Sequence, residues 1–117
     1  MEKHGPNKEA LRTAVGERLI TDHVLTGREV ESMAGEHGYR NASATDIMHP
    51  PGMRRTLAVM KIELVVEKHR KTKLYINEAG PEEEIEQALE AKKAEIDTAM
   101  AAAHEKTRQT RAMQADK

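Results

Sequence analysis

The sequence predicts a mainly helical fold with one small β-hairpin, ending in a long C-terminal helix. Three observations predict it. With two Tyr and no Phe or Trp, the core must come from Leu, Ile, Val, Met and Ala, which suits helices and leaves little for a sandwich or barrel. Apolar residues recur at helical spacing through the first half, then alternate briefly between Ile62 and Val66. From Pro81 onward the chain is rich in Ala, Glu, Lys and Gln. At 117 residues this fits one small domain over 1–78 and a long helix over 79–117.

The first helix is expected from an Asn7 cap to about His23, with Leu11, Val15 and Leu19 on one face and Ala14 alongside. Gly16 costs it about 1 kcal/mol relative to Ala. Thr26-Gly-Arg-Glu29 is a capping box, in which hydroxyl and carboxylate satisfy each other's backbone amides. It opens a second helix with Val30, Met33 and Ala34 inward, ending near Gly35 or Gly38. Ser43-Ala-Thr-Asp46 repeats the start signal, and Pro50-Pro51-Gly52 stops this third, short helix over 43–49.

Met53 to Glu67 fits both periods. Leu57, Met60 and Leu64 recur helically, while Ala58, Met60, Ile62, Leu64 and Val66 alternate. A helix over 53–62 followed by a strand at Leu64-Val65-Val66 resolves the conflict, because β-branched residues favour the strand. Lys68 to Lys73 reads as a polar turn and Leu74-Tyr75-Ile76 as the returning strand. Pro81 suits the first position of the last helix, which begins Glu82-Glu83-Glu84 and carries Lys106, Arg108 and Arg111 near its end.

Charge supplies the functional signal. Residues 52–76 hold seven Lys/Arg against two acids, whereas the flanks hold six against eight and six against ten. A formal net charge of −1 therefore hides a basic island, and local charge governs attraction to phosphate. Arg54 and Arg55 sit where a helix N-terminus adds its positive dipole end, and either can grip phosphate or read guanine. Thr56 and Lys61 lie on the same helix, and Lys68, Arg70, Lys71 and Lys73 crowd the hairpin tip.

Residues 44–76 resemble the helix-turn-helix plus wing of winged-helix DNA-binding domains found in bacterial and phage regulators. Ile47 and Met48 match the buried positions of the positioning helix, Gly52 the turn glycine, and Met53 the apolar residue after it. Arg54-Arg55-Thr56-Leu57 matches the opening of the recognition helix, Leu64 to Lys68 the strand entering the wing, and Lys73-Leu74-Tyr75 the strand leaving it. Pro50-Pro51 departs from the pattern, since that family continues its positioning helix to the glycine. The resemblance implies a winged helix-turn-helix domain that reads double-stranded DNA through Arg54, Arg55, Thr56, Lys61, Lys68, Arg70, Lys71 and Lys73 as a transcriptional regulator.

The last helix has three readings: a seam between two copies, a helix docked on its own domain, or a tail. Ile85, Leu89, Ile96, Ala99, Met100 and Ala103 form a narrow stripe, and acidic and basic halves complement each other in an antiparallel homodimer or coiled coil. Lys92 interrupts the stripe. The acidic run at Glu82–Glu84 is either simple helix-start charge or a cover for the basic island. A protein-interaction module acting through this helix, such as a phage-type inhibitor or adaptor, is the alternative function. Two Tyr are too few for a single-strand stacking platform, which favours duplex DNA and leaves double-stranded RNA open.

No enzyme is expected, because no nucleophile has a base at a workable spacing and the six His show no metal-ligand pattern. No cofactor is expected either. With no cysteine, no apolar leader and no long apolar run, the expectation is a cytoplasmic protein without membrane contact.

Overall fold

The computed structural model describes residues 8–115, with side chains described from Lys8 to Ala103. The expected Asn7 cap lies outside them. Helix α1 (Lys8–Asp22) buries Leu11, Val15, Gly16 and Leu19 on one face. It is followed by a strand that the sequence did not announce, β1 (Val24–Thr26), whose three residues are all buried. His23 joins the two at φ 70°, a left-handed turn between helix and strand.

Helix α2 (Gly27–Glu36) carries the expected capping box. The Thr26 amide donates to Glu29 Oε1 at 2.8 Å and the Glu29 amide donates to Thr26 Oγ1 at 3.1 Å. The helix ends in a Schellman closure, with Tyr39 N–H on the Ala34 carbonyl, Gly38 N–H on the Gly35 carbonyl, and Gly38 at φ 90°. Ser43 then caps the short helix α3 (Ala44–Met48) through the Asp46 amide.

Helix α4 (Pro51–Val59) corrects the expected turn. Pro50 is its N-cap and Gly52 lies inside its first turn, so Gly52 is a helical residue and not the glycine between two helices. A Cβ on Gly52 would stand 2.5 Å from the Arg12 guanidinium, so the missing side chain leaves room for the end of that flexible arginine beside the first turn of α4. At the other end Ile62 N–H reaches the Leu57 carbonyl and Lys61 N–H reaches the Ala58 carbonyl, a second Schellman closure. Lys61 takes φ 62° there, a conformation that glycine adopts without strain.

Strands β2 (Leu64–His69) and β3 (Thr72–Asn77) form the hairpin, longer at both strands than the sequence indicated. The turn is correspondingly shorter. It consists of Arg70 and Lys71 alone, both at positive φ, the two-residue geometry that matches strand twist. β1 pairs antiparallel with β3 on the side away from β2, so the sheet order is β1-β3-β2.

The alternation of β3 divides the interior. Tyr75 and Leu25 belong to the larger core with α1–α4, whereas Leu74, Ile76 and Val24 form a second core on the opposite face. Buried Asn77 stitches the base of the sheet: its amide donates to the His23 carbonyl, its Nδ2 to the Leu19 carbonyl, and its Oδ1 accepts from Glu63 and Ala79.

Helix α5 (Glu82–Ala115) covers the second core with Ile85, Ala88, Leu89 and Ile96. Three of the residues expected to join two copies, Ile85, Leu89 and Ile96, are thus spent on the chain's own sheet. The helix starts one residue later than expected, with Pro81 supplying the carbonyl for the Ile85 amide. The helical backbone runs on past Lys106, Arg108 and Arg111, whose side chains lie outside the described residues.

Ile76 is 2% exposed, so Ile76→Ala is expected to cost about 2–5 kcal/mol in a denaturant titration. Lys61→Gly is expected to raise stability by about 1 kcal/mol in the same titration, because it relieves the left-handed closure of α4.

Candidate nucleic-acid interface

Two elements carry the basic island, and each sorts its cations by backbone geometry. On α4, Met53 and Leu57 are buried, which turns Arg54, Arg55, Ala58 and Val59 outward. Arg54 and Arg55 point about 100° apart on a helix of 3.6 residues per turn. Arg54 lines the cleft between the helices and the hairpin, together with His49, Leu64, Val66 and Tyr75. Arg55 lies on the far flank with Thr13, Val59 and Met60.

Strand parity sorts the hairpin. Val66 stands opposite Tyr75 and Lys68 opposite Lys73, so these four share the sheet face that looks towards α3 and α4. Lys73 reaches that side directly, donating from Nζ to the Thr45 hydroxyl at 2.8 Å. Arg54, Lys68 and Lys73 therefore flank one concave surface. The two lysines oppose each other across the ladder, an unfavourable like-charge pair.

The other parity leads away. His69 shares the α5 face, and its Nε2 lies 2.8 Å from Asp97 Oδ1 on α5. Arg70 Nε donates to the same oxygen at 2.5 Å. The hydrogen bond from His69, then that from Arg70, holds the Asp97 carboxyl below the usual aspartate range. Arg70, expected at the basic tip, is thus held by the chain's own carboxylate, and among the described residues of α5 Asp97 is the acid that reaches the hairpin tip. Among the acidic run, Glu84 meets His23 at 3.2 Å instead.

The remaining expected residues divide in the same way. The Thr56 hydroxyl donates to the Gly52 carbonyl at 3.1 Å, an internal helix contact that competes with any phosphate. Lys61 closes α4, exposed beside its C-terminal carbonyls. Lys68 and Lys71 are exposed. Ala99, Met100 and Ala103 border a groove with Thr26, Arg28 and Thr72 along α5. Lys92, the break in the stripe, donates to Glu29 Oε2 at 2.7 Å and ties α5 to the capping box of α2.

Sequence reasoning missed Arg12, which brings a guanidinium from α1 to the first turn of α4, and also His49, Asp97 and Val59. Arg12 and Asp97 act across elements, so nothing in their own neighbourhood marks them. Burial raises the Tyr75 phenol above its ordinary value, with the Thr45 side chain opposing, so it stays protonated at the base of the cleft. Among the described residues, no helix is long and apolar enough to cross a membrane. Comparison with protein-family models, curated proteins and solved structures finds no match to this chain.

Because the Asp97 carboxyl is lowered when folded, its contact with the hairpin is present above the ordinary aspartate range and lost as pH falls through the lowered value. Asp97→Asn is expected to speed amide exchange at residues 69–72 at neutral pH and, with intrinsic exchange rates divided out, to abolish the loss of protection there on acidification. Unchanged exchange in the variant would show that the tip is held by the hairpin alone.

Proposed function

We propose that this protein is a winged-helix DNA-binding regulator that reads duplex DNA with α4 and the β2–β3 hairpin. One observation carries the reading. The chain order α1-β1-α2-α3-α4-β2-β3, with a β1-β3-β2 sheet, puts a cationic helix and a cationic hairpin on either side of one concave surface. In this reading α4 enters the major groove, with Arg55 and Arg54 available to guanine edges. Lys68, Lys71 and Lys73 lie along the phosphate backbone, where they supply affinity without sequence. Arg12 and Lys61 lie beside the first and last turns of α4.

The same reading includes a homodimer through α5, now confined to the part beyond Ile96, because the earlier turns cover the sheet. A two-fold pair of this kind fits half-sites about one helical turn, or a multiple of it, apart. The groove beside Ala99 and Ala103 is also the observation that favours the alternative, a protein-interaction module acting through α5. A partner recovered from lysate after nuclease treatment would favour that alternative.

Fluorescence anisotropy of the full chain on duplex DNA is expected to weaken steeply with salt. With about five phosphate contacts per copy, log K falls against log salt at about −0.9 per contact. Arg54→Ala and Arg55→Ala are each expected to cost about 1–3 kcal/mol where the residue makes a bidentate base contact, and to relax preference at that base. Flat, weak binding at every salt concentration would remove the proposal.

A further inference from the structure

We infer that the exposed face of α4 reads a thymine methyl group beside a guanine, with Val59 as the methyl-reading residue; this rests on the DNA-binding reading above. Among the described residues, Val59 is 81% exposed, against 47% for Ile20 and Val66, the other exposed large hydrophobic ones. A singly exposed valine is ordinary on a protein surface. This one is set differently: it borders a shallow groove with Arg55, Thr13 and Met60, and Ala58 is exposed next to it. Guanidinium and apolar surface are thereby presented together on a cationic helix.

Duplex DNA offers a matching pair of features in its major groove. Guanine presents O6 and N7 to a guanidinium, and thymine presents its 5-methyl group to an apolar side chain. Val59 lies four residues after Arg55, about 6 Å along the helix axis. In a helix lying in the groove, residues that far apart stand over bases about one to two steps of 3.4 Å apart. The favoured site therefore holds a thymine within about two steps of the guanine that Arg55 reads. Cytosine bearing a 5-methyl group offers the same methyl, but its N4 amine needs an acceptor. The segment Pro51–Val59 contains no Asp or Glu, so thymine is the better fit.

The test begins with selection from random duplexes using the full chain, followed by replacement of each thymine in the selected site by uracil, which removes only the methyl group. One position near the guanine is expected to bind roughly three- to fivefold more weakly as uracil, the value of about one buried methyl. Val59→Ala is expected to bind the thymine and uracil duplexes nearly equally. A 5-methylcytosine duplex at that position is expected to bind more weakly than thymine; equal or tighter binding overturns the assignment to thymine. A selected site that tolerates uracil everywhere, or whose sensitivity persists in Val59→Ala, overturns the inference and leaves the DNA-binding reading standing. Failure to bind or enrich any duplex overturns the reading itself.

Discussion

β3 is buried on both faces, and the placement of the sheet, of α5 and of the hairpin charges follows from that. Tyr75 points into the helical core and its neighbours Leu74 and Ile76 into the core under α5, all three at 2% exposure or less. A slip by one residue would exchange Tyr75 with Leu74 or Ile76 between the two cores, so close packing on both faces opposes it. The register in turn decides where the hairpin's charges go. Lys68 and Lys73 inherit the parity of Tyr75 and face the helices, while His69 inherits the other parity and faces α5.

Around that strand, polar contacts lock the angles between elements more than they add stability. Glu29 is the hub: one carboxylate oxygen caps α2, while the other meets Lys92 at 2.7 Å and Arg18 at 3.8 Å. Partly exposed ion pairs of this sort contribute little individually. Their value is geometric, since they join α1, α2 and α5 at a single point. Asn77 does the same at the base of the sheet, and Asp97 at the hairpin tip. The hairpin is consequently tied to a helix that also covers the sheet, so its attitude relative to α4 is set at both ends.

Local signals in the sequence were reliable where one residue acts on its immediate neighbours. The capping box at Thr26, the Ser43 cap, the apolar face of α1 and the β-branched start of β2 all behave as their chemistry dictates. Legibility failed where distant residues decide. Val24-Leu25-Thr26 is too short to show a period, and only pairing with β3 makes it a strand. Arg70-Lys71 lacks the Asn-Gly signature of a two-residue turn, so the tip looked longer than it is. The α5 stripe read equally well as an interface between copies, because a sheet surface and a second helix ask for the same apolar spacing. Of the basic island, its existence was legible and its division into a concave set and an Asp97-bound set was not, since the latter depends on register.

On the reading proposed above, the duplex lies against the exposed face of α4, Arg55 and Val59 included, and across the concave surface to the hairpin. Backbone amide exchange measured residue by residue, with and without a 20-base-pair duplex, tests this placement most directly. Slowed exchange is expected over 44–61 and 64–77, with the docked turns of α5 over 85–96 unaffected. Protection confined to α5 beyond Ile96, or absent throughout at low salt, would contradict it.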